Sequence, residues 1–169
     1  MRQVDSVLTS TKSSQMQPEK PLKRDDALVP LSREHHRGLL LCWKIKTGLS
    51  KNVEPERIKR YADWFYAEHL TPHFAEEENA LFPILGNHNA LVARAIQEHR
   101  ELETLFADNS NVEHTLRSIA DLLDKHIRFE ERVLFGVIQE TASGEQLKAL
   151  ERHNAAQPFC ENASDAFWK

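Results

Sequence analysis

The sequence predicts an all-α fold, an up-down-up-down four-helix bundle with a short additional C-terminal helix and an N-terminal arm. Glycine is scarce, with 5 in 169 residues, and few segments show the apolar-polar alternation of strands. Long stretches instead repeat apolar residues with the period of an amphipathic helix. The chain also contains 9 histidines, a high number whose positions on these helices bear on function.

The helical part follows a polar segment. Residues 1–29, rich in Ser, Thr, Gln, Lys and Pro, predict a flexible N-terminal arm or a coil lying on the domain. Ser32 is a suitable N-cap for a first helix that ends near Leu49. Pro55 suits the first residue of a second helix reaching about Phe82, with a kink or local break expected at Pro72.

Two further long helices are predicted at about Asn89–Ala107 and about Val112–Glu140. The run Ser-Gly-Glu-Gln from Ser143 fits a capping box, and it predicts a short fifth helix that ends near His153. The bundle with its fifth helix is thus expected over residues 30–157, and residues 158–169 are expected to form a C-terminal tail. Short connections between long helices favour antiparallel neighbours.

The composition excludes several classes of protein. A chain of 169 residues with 40% hydrophobic and 28% charged residues fits one globular domain. The formal charge of -4 gives no basic surface for nucleic acid, and no apolar run suits a membrane span or a secretory signal. Cys42 and Cys160 stand apart, without zinc-ribbon spacing. We therefore expect a cytoplasmic protein with no nucleic-acid or membrane partner.

Histidines fall on the apolar stripes of the helices. When the fourth helix is wound at about 100° per residue, Ile119 and Leu123 lie beside His126, and Glu130 is only about 40° away. A histidine and a glutamate one turn apart thus face the core. The same pattern recurs twice. It is found at His73 and Glu77, with His69 one turn earlier, and at His99 and Glu103.

The first helix offers an adjacent pair. His35 lies on the apolar stripe and His36 about 100° away, so His35 is the better inward candidate. One buried histidine has an ordinary explanation, such as a hydrogen bond to a backbone carbonyl. Inward histidines on four helices, together with inward glutamates, require a shared counter-charge, which a metal cation supplies.

The candidate ligands restrict the metal. Imidazole and carboxylate without thiolate suit iron, manganese or zinc. More candidates converge than the three or four that a single zinc ion needs, so two ions bridged by carboxylates are expected. No histidine has a glutamate three residues before it, which excludes the ferritin-like pattern, and the metalloprotease motif HExxH is absent.

Four stretches carry a family resemblance, namely LSREHHRGLLL, HLTPHFAEEENALFP, EHRELETLF and KHIRFEERVLF. Their order, His, HxxxE, His and HxxxE over about residues 31–140, resembles the hemerythrin-like (HHE cation-binding) family. The resemblance implies a non-haem centre of two iron ions. It further implies histidines as terminal ligands and two glutamates as bridges. The terminal ligands would be His35 or His36, His73, His99 and His126, and the bridges would be Glu77 and Glu130.

Two candidates depart from the oxygen-carrying members of that family. Glu103 takes the place of the second histidine of an HxxxH pair, and the fourth helix has HxxxE where those carriers have HxxxxD. His69 would be a further ligand or a hydrogen-bonding partner of one. The departures resemble the branch associated with iron sensing or with nitrosative and oxidative stress.

Three functions follow as hypotheses, and the sequence does not decide whether the protein is an enzyme. The first is a di-iron protein that binds or senses oxygen, nitric oxide or iron. The second is a stress-response enzyme that detoxifies oxidants or nitric oxide, or repairs iron centres. The third is a metal-free helical interaction module. A small diatomic ligand is the expected partner, and no protein partner is identified. The candidate metal ligands are His35, His36, His69, His73, Glu77, His99, Glu103, His126 and Glu130.

Overall fold

The computed structural model describes residues 23–86, 88–153 and 159–169, and all regular structure within these ranges is helical. The prediction of an all-α fold is thereby confirmed. Residues 1–22 of the predicted arm and the junction at 154–158 lie outside the described residues. The α-helices are α1 (Val29–Ser50), α2 (Pro55–Phe65), α3 (Thr71–Glu76), α4 (Ala90–Ala107), α5 (Val112–Phe129), α6 (Phe135–Thr141) and α7 (Gly144–His153).

Three π-helical turns join some of these helices into longer ones. The turns Tyr66–Leu70 and Glu77–Leu81 continue α2 and α3, and the turn Glu130–Leu134 joins α5 to α6. Four long helices result, which we number first to fourth along the chain. The first is α1, the second runs from α2 to residue 81, the third is α4, and the fourth consists of α5 and α6. This arrangement fits a four-helix bundle with the short α7 added.

The helix starts follow local capping chemistry. Helix α1 begins at Val29, before the predicted N-cap Ser32, because a 3-10 turn at Asp26–Leu28, capped by the side chain of Asp25, leads directly into it. The side chains of Asn89 and Asn111 accept backbone N–H groups at the starts of α4 and α5. The Ser143 hydroxyl accepts the N–H of Gln146, whose side chain accepts the Ser143 N–H, as the capping box predicts.

Pro72 does not stop the second long helix. The helix widens just before it, where the Tyr66 carbonyl accepts the N–H of Thr71 five residues later, as well as the Thr71 hydroxyl. Pro72 then falls in the first turn of α3, where its missing N–H is best tolerated. The local break expected from the sequence therefore takes the form of a π-helical turn.

Two apolar clusters fill the interior, and a buried polar layer separates them. Helix α1 packs against α2 and α5, and α5 also packs against α2 and α4. Along α1, Leu31 belongs to one apolar cluster and Leu41 to the other, while the buried His35 lies between them. On α4, Ala95 and Leu102 flank His99 in the same way. The candidate site therefore lies between the two apolar clusters.

The C-terminal segment docks on α1 and α2. Phe167 is buried against Tyr61, and the ammonium group of Lys44 bonds to both Tyr61 and Glu161. Asp165 forms an ion pair with Arg57. None of the helices in the described part of the chain is both long and apolar enough to cross a membrane.

Candidate metal centre

Six buried side chains converge between the two apolar clusters. They form two groups of four, and within each group one ligand atom per residue lies within 4.8 Å of the others. The groups share two carboxylates, so each group pairs two different histidines with the same two glutamates. We call these six residues the inner cluster: His35, His73, Glu77, His99, His126 and Glu130.

The two carboxylates lie between the two pairs of imidazoles. The Glu77 Oε1 atom lies 3.4 Å from His35 Nε2 and 3.3 Å from His73 Nε2, while its Oε2 atom lies 3.4 Å from His99 Nε2. The Glu130 Oε2 atom lies 3.1 Å from His35 Nε2 and 3.3 Å from His126 Nε2. Each carboxylate thus faces imidazoles of both groups, as a bridge between two ions requires.

The polar atoms at the centre lack hydrogen-bond partners. Within the described residues, the Nε2 atoms of His35 and His73 and all four carboxylate oxygens of Glu77 and Glu130 are buried without one. His99 Nε2 and His126 Nε2 point at each other across 3.0 Å. Buried polar atoms without partners are unfavourable, and imidazole and carboxylate donors suit iron, manganese or zinc. The residues therefore fit a pair of bound cations.

Every histidine of the inner cluster is held by a second carboxylate. The Nδ1 atoms bond to glutamates at 2.7–2.8 Å, which turns each Nε2 atom towards the centre. We call these glutamates the outer carboxylates. The pairs are Glu34 with His73, Glu78 with His99, Glu98 with His126 and Glu131 with His35.

The outer carboxylates join the four long helices in a closed ring. Glu34 on the first helix holds a histidine of the second, and Glu78 on the second holds one of the third. Glu98 on the third helix holds a histidine of the fourth, and Glu131 on the fourth holds His35 on the first. Each long helix therefore provides one outer carboxylate and one histidine held by a neighbour.

The sequence interpretation missed these outer carboxylates. At about 100° per residue, Glu131 lies about 140° from His126, off the apolar stripe, and Glu78 lies about 100° from Glu77. Both do leave the core face of their own helix, but they reach a histidine of the neighbouring one. A signal was present, because each outer carboxylate is adjacent in sequence to an inner-cluster residue, as in the pairs Glu34-His35 and Glu98-His99.

Both bridging candidates begin a π-helical turn. The Glu77 carbonyl accepts the N–H of Phe82, and the Glu130 carbonyl accepts that of Phe135. Such widened turns are frequent at functional sites. Phe135 then stacks on the His35 ring at 5.0 Å, while Phe74 stacks on the His99 ring at 3.9 Å. One histidine of each group is thus packed against an aromatic ring.

The carboxylates control the protonation of the imidazoles. Burial lowers the pKa of His73, but Glu77 and Glu34 outweigh it and raise the pKa to about 9. The pKa values of His35 and His99 are raised for the same reason, against the effect of burial. Burial raises the pKa of Glu77, but the surrounding histidines lower it well below its usual value. The metal-free cluster is therefore charged and holds protons that a cation would displace.

Three predicted candidates lie away from the inner cluster. His36 is exposed beside the buried His35, as their separation around the helix requires. Glu103 is exposed, because neighbouring positions of α4 such as Leu102 take up the buried face there. His69 lies one turn before His73, beside the apolar cluster that contains Phe65, and its ring contacts Phe65 and Phe159.

Comparison with known proteins agrees with this geometry. The model of the hemerythrin HHE cation binding domain matches residues 27–138, more than half of the chain. A DNA nickase of Nostoc sp. is 29% identical over 133 residues, which cover 73% of this chain and 37% of the relative. The chain thus spans little more than a third of the length of that relative. No solved structure matches the chain.

Proposed function

Since this chain belongs to the hemerythrin HHE cation-binding family, we propose that it is a non-haem di-iron protein whose centre binds or senses oxygen, nitric oxide or iron. The observation that supports this proposal is the pair of four-residue groups sharing Glu77 and Glu130. A single-ion site would need one such group. Two groups with common carboxylates suit two ions.

Each ion would have its own histidines. His35 and His73 would hold one ion, His99 and His126 the other, and the two shared glutamates would bridge them. Iron bound there would supply reversible one-electron chemistry, whereas zinc would be redox-inert. The outer carboxylates increase the basicity of the imidazoles and hold each Nε2 atom in a binding orientation.

Sensing or redox chemistry is proposed rather than reversible oxygen carriage. Glu103 lies away from the cluster, so the support comes from the fourth helix, where His126 and Glu130 form HxxxE. The second histidine of the carriers' HxxxH pair therefore has no counterpart in the inner cluster, and the ligand set differs from that of a reversible oxygen carrier. A stable, reversible oxygen-bound spectrum of the purified protein would contradict this proposal.

DNA nicking is not extended to this chain. The name of the Nostoc relative describes a protein of which 37% is matched. Glu77, His99 and Glu130 have no exposed surface, so a phosphodiester of DNA has no direct contact with them. A stress-response enzyme acting on small oxidants is the second candidate, favoured by a cavity of about 730 Å³ that His73 borders.

Metal analysis combined with an optical spectrum tests the proposal. The protein would be loaded anaerobically with ferrous iron, freed of excess metal and then exposed to air. We expect two irons per chain and a charge-transfer band of an oxo-bridged pair, both lost in Glu77→Gln and retained in Glu103→Gln. Zinc alone, at one ion per chain or less, would contradict a di-iron centre.

A further inference from the structure

The first residues that the structure describes are bound to the fourth long helix before α1 begins. The side-chain amide of Gln139 donates to the Lys23 carbonyl at 2.8 Å, and its oxygen accepts the Asp25 N–H at 3.0 Å. Between these two contacts, the guanidinium of Arg24 donates to the carbonyl and to the carboxylate of Glu131. We call Lys23, Arg24 and Asp25 the N-terminal anchor. It attaches the chain to one face of the fourth helix.

The N-terminal anchor reaches His35 by two routes. The Glu131 Oε2 atom accepts from Arg24 at 2.7 Å, while its Oε1 atom bonds to His35 Nδ1 at 2.7 Å. The Arg24 guanidinium also lies over the Phe135 ring, 5.2 Å from its centre, and this ring stacks on that of His35 at 5.0 Å. Arg24 therefore holds both the carboxylate and the aromatic ring that contact this imidazole.

Arg24 differs from the arginines beside other outer carboxylates. Arg94 pairs with Glu98, and its side chain is 53% exposed. Arg100 pairs with Glu78 and is 57% exposed, whereas the Arg24 side chain is only 24% exposed. Exposed ion pairs contribute little, while charge-assisted hydrogen bonds shielded from water are stronger. Arg24 also lies before the residues that the family model matches, so it belongs to this chain rather than to the matched domain.

We propose that Arg24 is a positioning residue that fixes the orientation of the metal ligand His35. It acts through the Glu131 carboxylate and the Phe135 ring, which restrict the imidazole from the side opposite its Nε2 atom. Equilibrium coupling is reciprocal, so a bound cation also holds the N-terminal anchor on the fourth helix. Metal occupancy thereby controls how firmly the chain is attached where residues 1–22 join the bundle. This inference rests on the proposed metal centre and deepens it.

The zinc affinity of Arg24→Gln tests the effect of the N-terminal anchor on the centre. Zinc is redox-inert, so competition with a coloured chelator measures binding without iron oxidation. We expect a several-fold loss of affinity, smaller than the about 10–100-fold loss expected when a direct partner of a ligand is removed. Arg24→Lys should restore part of the affinity, because its ammonium group can still pair with Glu131.

Two further variants control for indirect effects. Arg128→Gln removes an ion pair with Asp124 that lies within the fourth helix, and it should leave the zinc affinity unchanged. Gln139→Ala loosens the N-terminal anchor while Arg24 and Glu131 stay intact, so it should lower the affinity in the same direction. It also keeps the proposal testable if Arg24→Gln does not fold.

Hydrogen exchange tests the reciprocal effect of the cation on the N-terminal anchor. The N–H groups of Asp25, Ala27 and Leu28 are bonded to Gln139 or to Asp25, so mass spectrometry of residues 23–28 reports their opening. Saturating zinc should slow this exchange by a factor similar to the affinity lost in Arg24→Gln. The slowing should persist in Arg128→Gln and be much smaller in Arg24→Gln.

The outcomes separate this coupling from the metal centre. Equal zinc affinity in Arg24→Gln and the parent chain overturns the coupling and leaves the centre standing. A fall in the thermal midpoint of Arg24→Gln that is the same with and without zinc does so too, because Arg24 would then stabilise the fold without acting on the ligand. Exchange at residues 23–28 that zinc does not slow contradicts the reciprocity and overturns the coupling. A parent chain that binds neither zinc nor iron overturns the metal centre and the coupling with it.

Discussion

Glu98 contacts the inner cluster through His126, and this contact predicts a role for Glu98 in metal binding. Its carboxylate accepts from the Nδ1 atom of His126 at 2.8 Å, whereas Glu103, five residues later on α4, is exposed. We expect Glu98→Gln to weaken metal binding by about 10–100-fold, because outer partners orient the ligand and raise its basicity. Glu103→Gln is the matched control and should leave the affinity unchanged. Competition with a coloured chelator measures both.

A result in which the two substitutions weaken binding equally would contradict this assignment. It would mean that Glu103 reaches the centre once a cation is bound, as the sequence interpretation allowed.

The raised histidine pKa values predict a proton-linked affinity. His73, with a pKa of about 9, is protonated at neutral pH in the metal-free chain, and the nearby carboxylates also raise the pKa values of His35 and His99. A cation must displace these protons, so affinity should rise as the pH increases from 6 towards about 9. Titration calorimetry with zinc, in two buffers of different ionisation enthalpy, would count the protons released. An affinity independent of pH would contradict the charged metal-free cluster.

The same shifts give the metal-free chain an opposite pH dependence of stability. A histidine whose pKa is raised on folding stabilises the fold fully below its unfolded pKa of about 6.5. This contribution is lost as the pH rises through the folded value, which is about 9 for His73. We therefore expect the urea midpoint of the metal-free protein to fall between about pH 6.5 and 9. A constant midpoint over this range would contradict the expected histidine contribution.

At the residue scale, helical winding predicted the inner cluster but not the outer carboxylates that hold its histidines. His35 and His126 could be chosen because an inward position on a helix follows from its apolar neighbours. Glu34 and Glu131 could not be predicted, because their partners lie on other helices. The winding of one helix does not show how close its side chains come to a neighbouring helix. The winding also placed Glu103 inward, although it is exposed.

At the scale of helices, two glycines of the bundle differ in what surrounds them. A Cβ atom at Gly48 would lie 2.8 Å from the Phe167 ring and from the Cδ1 methyl of Ile58. A Cβ atom at Gly136 would meet nothing within 4 Å. We expect Gly48→Ala to destabilise the fold by about 1–3 kcal/mol, since Phe167 must move. Gly136→Ala, in the interior of α6, should stabilise it by about 0.5–1 kcal/mol.

Urea denaturation of both glycine variants, compared with the parent chain, measures the difference. Equal stabilities would show that Phe167 does not pack against Gly48 in solution.

The helices themselves were largely predictable, and their irregularities were not. Pro55 indicated where the second helix begins, because the preference for proline at the first helical residue is local. The π-helical turns at Glu77–Leu81 and Glu130–Leu134 could not be foreseen, because each accommodates one residue more than an α-turn and follows from packing against other helices. The earlier start of α1 at Val29 depended on the preceding 3-10 turn.

At the scale of the whole molecule, the centre lies between two apolar clusters, so a bound cation should stabilise the entire bundle. A cation that binds only the native state raises the free energy of unfolding by about 4 kcal/mol when its free concentration exceeds its dissociation constant a thousandfold. We expect the thermal midpoint to rise with ferrous iron or zinc and to fall with a chelator. His36→Ala, at an exposed position, should keep this increment, and His99→Ala with His126→Ala should lose it. Calorimetry that finds the same increment in both variants would contradict binding at the inner cluster.

The fold class could be predicted because the apolar period and the scarcity of glycine are properties of the chain as a whole. The cavity beside His73 could not, because its walls come from segments far apart in sequence, at residues 64–76 and 159–162. The docking of Phe167 on Tyr61 could not be predicted either, since a short aromatic tail does not specify the surface it will cover.

The closed ring of outer carboxylates has a consequence for how the helices can slide. Each long helix takes part in two links, one through its glutamate and one through its histidine. A one-turn slip of any single helix, about 5.4 Å along its axis, would break both of its links at once. The longitudinal alignment of all four helices is thus decided jointly. A chain that has closed three links has little freedom left in where the fourth helix comes to rest.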